Sequence, residues 1–387
     1  MRRNWRAISD TGMLSLPGKL TAEKFLARHW QKDPLFMPGG LERPSPSMSR
    51  NELAWLATLE DVECRIVFTE RDGDRLRYRA VSGPFESEYL SALPSRDWTL
   101  LVHDVEKHLP AMRRLFRQVP FIPDWRIDDL MVSFAAPGGG VGPHKDNYDV
   151  FLCQGIGVRE WRITTHEVAA DTAASGDLAL LETFDGARYE TRSGDVLYLP
   201  PGVPHWGTAK RACMTYSIGM RAPELADLAD ELPDDENGNP FYRDADLTIG
   251  ESVPGWISPQ AIARARRLLQ SAGAVCGDVA LSLGCFVTTT KAWLAPERIT
   301  TDEAARLLRE LPPGARLAVH GMARIATDGH RVYANGRPFP LPDGAGRWLS
   351  KLCASRSVRL PLAGGRNLEN LAIWLLASGA FEIPGNS

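Results

Sequence analysis

Two short stretches of this chain carry the residue types from which a metal site is built. In the first, Gly138-Gly139-Gly140-Val141-Gly142-Pro143-His144-Lys145-Asp146, an imidazole and a carboxylate stand two positions apart. Residues two apart on an extended strand point to the same face, so His144 and Asp146 can reach one ion. The second stretch, Gly194 to His205, is an apolar run that ends in the rigid turn Pro200-Pro201-Gly202 and then delivers His205. His205 follows His144 by 61 positions, which leaves room for several strands between them. Two histidines and one carboxylate on one face leave three positions open on an octahedral ion. Non-haem Fe(II) oxygenases use that arrangement, because they need room for a cosubstrate and oxygen. Common zinc sites use more His or Cys. H-x-D alone is a weak signal, and so is a His after Pro-Pro-Gly. Each stands here at the end of a β-like run, and together they designate His144, Asp146 and His205 as an Fe(II) site. The other six histidines have no such context.

Past Asp146 the chain reads Asn147-Tyr148-Asp149-Val150-Phe151-Leu152-Cys153-Gln154, then Gly155-Ile156-Gly157, then Val158-Arg159-Glu160-Trp161-Arg162-Ile163. The pattern predicts a hairpin with a glycine turn. With Ile156-Gly157 as a two-residue loop, Gln154 lies opposite Arg159. Arg159 then points into the barrel on the face of His144 and Asp146. A three-residue loop reverses that parity, and Arg162 is the alternative. A guanidinium inside a barrel needs an anionic partner, and its planar fork matches a carboxylate. A small diacid such as 2-oxoglutarate would serve, with one end on the iron and the other on Arg159. A protein carboxylate, or an outward-facing Arg159, would also satisfy the charge. Asn147, Tyr148 and Asp149 lie beside the metal strand, where they could orient a substrate.

These residues need a rigid scaffold, and the texture of the chain supplies one. From about Cys64 to Arg221, short β-branched or aromatic runs alternate with turn residues, as in an all-β sandwich or barrel. One helix is expected within it, near Val105 to Phe116, and two precede it, opened by Thr21 and by Asn51. Residues 223–247 hold nine acidic side chains against one basic, which reads as a solvated connector. Helices follow over 258–295, where the small residues suggest close packing, including packing between subunits. The last ninety residues predict a helix near Thr301–Glu310 capped by Thr301 or Asp302, short strands around Arg316–Val319 and Ala323–Ile325, a hairpin at Asn335-Gly336, and helices near Gly344–Cys353 and Leu368–Gly379. That order resembles a winged helix. Its helices carry few clustered Lys or Arg, so packing against protein is expected rather than direct nucleic-acid binding.

Composition agrees with a globular enzyme. The chain has 387 residues, 44% hydrophobic and 24% charged, with a formal net charge of -3, which gives no electrostatic case for bulk nucleic-acid binding. The start, Met1-Arg2-Arg3-Asn4-Trp5, lacks the apolar core of a signal peptide, and no apolar run is long enough to span a membrane. A cytoplasmic protein is therefore expected. The six cysteines form no C-x-x-C pair and read as reduced thiols.

The two metal motifs resemble those of the JmjC branch of the cupin superfamily, with Asp146 in place of the second His of the first cupin motif. The chain departs from cupins where the first motif usually has a Glu and where the second ends in Asn. More narrowly, it is similar to the bacterial ribosomal oxygenases that hydroxylate an arginine of a large-subunit ribosomal protein. Asp128 through Phe134, Pro137 through Asp149, Gln154-Gly155-x-Gly157-x-Arg159-x-Trp161, Leu199 through Gly207, and Phe241-Tyr242-Arg243-Asp244 carry that similarity. The resemblance implies a mainly β fold with helices: a double-stranded β-helix oxygenase domain over residues 1–225, an acidic connector and helical dimerisation region over 226–296, and a winged-helix-like domain over 297–387. It implies Fe(II) on His144, Asp146 and His205, 2-oxoglutarate on Arg159 and Ser133, and a homodimer acting on a ribosomal protein. Other readings of the residues are a JmjC hydroxylase of a His, Lys or Asn residue, a small-molecule cupin enzyme without 2-oxoglutarate, and a non-catalytic ribosome-associated binding protein.

Overall fold

The computed structural model of the chain describes residues 13–18, 20–42, 47–73, 75–172, 179–232, 239–360 and 365–383. The N-terminal pentapeptide and Asp234, Asp235 and Glu236 of the acidic stretch lie outside them. The described chain separates into two compact units, one made of 13–120 with 127–220, the other of 121–126 with 221–383.

The first unit holds helices α1 (Ala22–Arg28) and α2 (Arg50–Leu56), short helices α3 (Ser87–Ser91) and α4 (Val105–His108), and eleven strands. The strands are β1 (Leu35–Met37), β2 (Cys64–Asp72), β3 (Arg75–Ser82), β4 (Trp98–Val102), β5 (Ile127–Ala135), β6 (Val150–Ile156), β7 (Val158–Ile163), β8 (Ala187–Arg192), β9 (Val196–Leu199), β10 (His205–Ala209) and β11 (Cys213–Met220). Thr21 caps α1 by accepting from the Lys24 amide at 3.3 Å, and Ser49 with Glu52 closes a capping box on α2. The helix expected over 105–116 is broken. Pro110 ends α4 and a 3-10 segment, Pro110–Gln118, follows, because proline has no N–H to give to the preceding turn.

Eight strands form one sheet in the order β1-β9-β6-β11-β5-β4-β2-β3, and three form another, β10-β7-β8. Val150 and Leu152 of β6 and Leu197 and Leu199 of β9 pack against Trp161 and Ile163 of β7, so the two sheets face each other across a shared core. The expected β6–β7 hairpin does not form. β6 pairs with β9 and β11, while β7 pairs with β8 and β10. Gly157 between them has φ +72°, and a β-carbon there would stand 2.0 Å from the Ala212 carbonyl oxygen. A glycine corner thus sends the chain from one sheet to the other instead of folding it back on itself. The six cysteines are unpaired, three buried and three half-buried.

The second unit packs α5 (Leu225–Leu228), α6 (Pro259–Ser271) and α7 (Val279–Thr288) around Trp125, Tyr242 and Tyr333. Asp244 of the Phe241–Asp244 motif makes a fully buried ion pair with Arg126, 2.9 Å from its Nε. Beyond these lie α8 (Thr301–Glu310), β12 (Arg316–Val319), β13 (Ile325–Thr327), β14 (Arg331–Ala334), β15 (Arg337–Pro340), α9 (Gly346–Ser355), β16 (Ser357–Arg359), α10 (Gly365–Ala377) and β17 (Phe381–Glu382). Thr300, one residue before the expected cap, closes α8. The Asn335-Gly336 hairpin joins β14 to β15 with both residues at positive φ.

Glu106 of α4 is fully enclosed and accepts the Leu130 amide at 2.9 Å, tying α4 to β5. Burial pushes its carboxyl up to about 7, against the pull of Arg113 and Lys107. Between the ordinary carboxyl value and 7 the unfolded chain loses this proton while the folded chain keeps it, so stability falls as pH rises through that window. Glu106→Gln keeps an acceptor for Leu130 and removes the titration. Its melting temperature is expected to exceed the wild type's by about 3 °C or more at pH 8 and to match it at pH 4.5. An equal difference at both pH values in thermal scans would contradict this.

Candidate metal and cosubstrate site

The metal motifs meet through backbone pairing. His144 and His205 exchange both main-chain hydrogen bonds, at 3.0 and 2.8 Å, and the Gly138–Gly140 run continues beside β10 through the Gly138 amide to the Ala209 carbonyl at 2.8 Å. The Gly202 amide donates to the Asp146 carbonyl at 2.7 Å, which fixes the Pro-Pro-Gly turn against the first motif. His144, Asp146 and His205 each offer a ligand atom, and these atoms lie within 4.8 Å of one another.

The imidazoles are oriented alike. Nδ1 of His144 lies 2.9 Å from the Gly142 carbonyl, and Nδ1 of His205 lies 3.0 Å from the Val203 carbonyl. A ring nitrogen facing a carbonyl must carry the proton, so each Nε2 keeps its lone pair for a metal. Burial, with the neighbouring His144, pushes His205 down to about 4, which keeps that ring neutral. Two imidazoles with their Nε2 atoms turned inward and a carboxylate form a donor set that a divalent ion fits.

Strand β7 builds the second half of the site. Arg159, Trp161 and Ile163 are buried, whereas Glu160 and Arg162 face outward. Arg159 is therefore the inward guanidinium, although the hairpin argument that placed it there fails. Arg162 instead stacks over Trp206, its guanidinium carbon 4.5 Å from the ring centre, with its Nε 3.7 Å from Glu160 Oε1. Arg159 is 6% exposed, and among the described residues its Nε and Nη2 have no hydrogen-bond partner. A buried guanidinium without an acceptor is costly unless an anion joins it. Ile163 stands opposite His205 and Ala209 opposite Arg159, so four residues, about 13 Å of strand, separate the two levels. Trp161 lies between them, its ring 6.0 Å from that of His205 and 5.4 Å from the Arg159 guanidinium carbon, with Gly207 beneath it.

The facing sheet contributes polar groups at the Arg159 level. Ser133 on β5 is buried opposite Thr215 on β11, and Thr215 is opposite Gln154 on β6, so all three share one face. Gln154 Oε1 accepts from Thr215 at 3.2 Å and from Thr191 of β8 at 3.1 Å, and Thr191 also bonds the Arg159 carbonyl. The barrel interior is closed at this level by the Thr191–Gln154–Thr215 bridge, which sequence reasoning did not find. β8 reads Ala187-Arg188-Tyr189-Glu190-Thr191-Arg192 and offers no apolar run to mark it.

Of the residues beside the metal strand, Asn147 and Tyr148 are exposed. Asp149 is not at the site. It is fully buried and accepts from Tyr198 Oη at 2.5 Å and Gln31 Nε2 at 2.8 Å. Tyr148 is open on one side, 42% exposed, yet the packing of the rest of its ring first, and then the carboxylates of Asp146, Asp129 and Asp128, push its phenol up against the pull of Arg65.

Residues 114–228 match the model of the JmjC domain. The ribosomal protein uL16 3-hydroxylase of Escherichia coli is 36% identical over 330 residues, 82% of this chain and 85% of that protein. The chain belongs to the JmjC ribosomal oxygenases. A probable ribosomal oxygenase of Haemophilus influenzae is 33% identical over 61% of this chain and 57% of its own length. A crystal structure of E. coli YcfD aligns with a TM-score of 0.70 at 31% identity, covering 96% of this chain and 99% of that one. A YcfD structure with cobalt and 2-oxoglutarate aligns over the same shares at 0.66 and 31% identity. The JmjC fold, mainly β with helices, is thereby established for this oxygenase.

Asp146→Ala is expected to lower Co(II) affinity by at least about 100-fold, since removing even an outer partner of a ligand costs 10- to 100-fold. Equilibrium dialysis checks this, and unchanged affinity would remove the carboxylate from the site.

Proposed function

We propose that this oxygenase uses Fe(II) and 2-oxoglutarate to hydroxylate an arginine side chain of a large-subunit ribosomal protein, with uL16 the candidate target. The Arg159 guanidinium carries the reading. It is buried, lacks an acceptor among the described residues, and stands on the strand that pairs with His205. A diacid spanning from metal to guanidinium satisfies both at once.

His144, Asp146 and His205 hold the ion and leave three positions for other ligands. Arg159 anchors the far carboxylate with two parallel N–H bonds, and the Ser133 hydroxyl shares that level. Trp161, Leu152 and Leu197 exclude water between the levels. With iron bound, the cosubstrate and O2 supply the oxidant that places one oxygen atom in a C–H bond, with release of succinate and carbon dioxide. The residues of this chain set which C–H bond is reached. Asp146, Asp129 and Asp128 lie near enough to Tyr148 to act on its phenol, against the single cation Arg65, and this acidic excess favours a cationic side chain such as arginine.

Residues 1–225 are the oxygenase domain in this proposal, 226–296 an acidic connector and helical dimerisation region, and 297–387 a winged-helix-like domain. Val275 and Leu232, 55% and 52% exposed, offer apolar surface in the helical region for a second copy of the chain. No helix among the described residues is long and apolar enough to cross a membrane. A ribosomal target fits a cytoplasmic protein that contacts ribosomal protein rather than nucleic acid.

Mass spectrometry of ribosomal proteins incubated with the Fe(II)-loaded protein and 2-oxoglutarate tests this function. One protein is expected to gain about 16 Da, a single oxygen, on an arginine. No mass change on any ribosomal protein would overturn it. Arg159→Ala is expected to weaken 2-oxoglutarate binding to the Co(II) protein by about 10- to 100-fold in calorimetry while Co(II) affinity holds. Unchanged 2-oxoglutarate affinity would remove Arg159 from the site.

A further inference from the structure

A second group of ionisable side chains reaches the barrel mouth, from the end of β4 and from α4. Asp129 lies on the inner face of β5, in step with Met131 and Ser133. Its Oδ2 is 3.3 Å from Nδ1 of His103 and accepts the Asp104 amide at 3.4 Å. Its Oδ1 points elsewhere, 3.0 Å from where a β-carbon on Gly219 would sit, with the Tyr148 ring edge 3.9 Å from that point. One oxygen of Asp129 is held by His103 and the Asp104 amide, and the other lies over Gly219 on the side of Tyr148. Both side chains are largely shielded, His103 at 22% and Asp129 at 14% exposure, so the contact is not open to bulk water.

The residues behind Asp129 are held in place. Asp104 sits at φ +55°, a left-handed conformation that aspartate tolerates better than most side-chain-bearing residues. Its carboxylate is engaged by Lys107, both groups buried, and Glu106 holds the Leu130 amide next to Asp129. A carboxylate rotates broadly about its last torsion unless a donor fixes one oxygen. Here the group facing Oδ2 is Nδ1 of His103, at 3.3 Å, which can give that donor.

We propose that His103 is a positioning residue for the protein substrate: its Nδ1–H fixes the Asp129 carboxylate so that Oδ1 receives the cationic side chain entering the mouth. The proposal rests on the acidic-excess reading above, that the substrate side chain is cationic. His103 touches neither metal ligand nor cosubstrate, so it acts on substrate affinity and not on the oxidation itself.

The test uses the Fe(II)-loaded full-length protein with cognate uL16 at saturating 2-oxoglutarate. His103→Leu is expected to raise KM for uL16 by about tenfold. Its kcat, its KM for 2-oxoglutarate and succinate release without uL16 are expected to stay at wild-type values. His103→Asn places an amide nitrogen where Nδ1 was and is expected to restore KM to within about twofold. A wild-type KM in His103→Leu, an Asn variant no better than Leu, or an equal loss of uL16-free turnover would each overturn the proposal. Asp129→Asn separates the two levels. A raised KM there beside a normal His103→Leu removes the proposal alone, whereas a normal KM in Asp129→Asn removes the acidic-excess reading and the proposal with it.

Discussion

The site exists because two backbone segments 61 positions apart pair at a single point, where His144 and His205 exchange both main-chain hydrogen bonds. An antiparallel pair of this kind brings β-carbons to within about 5.5 Å, which sets two imidazoles close enough to share an ion. The ring centres are 4.1 Å apart. The glycine run of the first motif lets its backbone lie along β10, and the Pro-Pro-Gly turn returns the chain to the Asp146 carbonyl. The carboxylate then joins the histidines by the two-residue period of an extended chain.

The barrel adds a second requirement, an enclosed cationic end. β7 alternates Arg159, Trp161 and Ile163 inward, and its pairing with β10 puts Arg159 and His205 on the same inner wall. The Thr191–Gln154–Thr215 bridge ties the two sheets together at that level. The Gln154, Thr191 and Thr215 side chains satisfy one another there, and among the described residues the buried polar groups left unpaired along inward β7 are Arg159 Nε and Nη2 and the Trp161 indole N–H. The triad thus stands at one level of β7 and β10 and an unpaired guanidinium four residues along at the other.

Much of this was legible from residue types. The H-x-D pair and the His after Pro-Pro-Gly named the three donors because a strand's period and a rigid turn are local properties. The Asn335-Gly336 turn and the Thr21 cap of α1 were readable for the same reason, whereas α2 was expected from Asn51 and its cap, Ser49, was not read. What local pattern could not supply was which strand pairs with which. The β6–β7 hairpin looked sound around its glycines, yet Gly157 is a corner between sheets, forced by the approach of Ala212. Arg159 was placed inside correctly from a pairing that does not occur, because alternation along β7 survives a change of partner. β3 and β8 are charged and short of apolar runs, so they left no trace, and with β8 went Thr191. Asp149 looked like a site residue by adjacency, but strand alternation turns it to the opposite face, onto Tyr198 and Gln31.

The central claim is that the triad and Arg159 are two ends of one binding site for a diacid. Calorimetric titration of 2-oxoglutarate into metal-free and Co(II)-loaded protein tests it most directly. If one ligand bridges both ends, affinity rises at least about tenfold when the metal is present, a coupling of about 1.4 kcal/mol. Equal affinity with and without metal would mean that the guanidinium and the triad do not share a ligand, and would contradict the account.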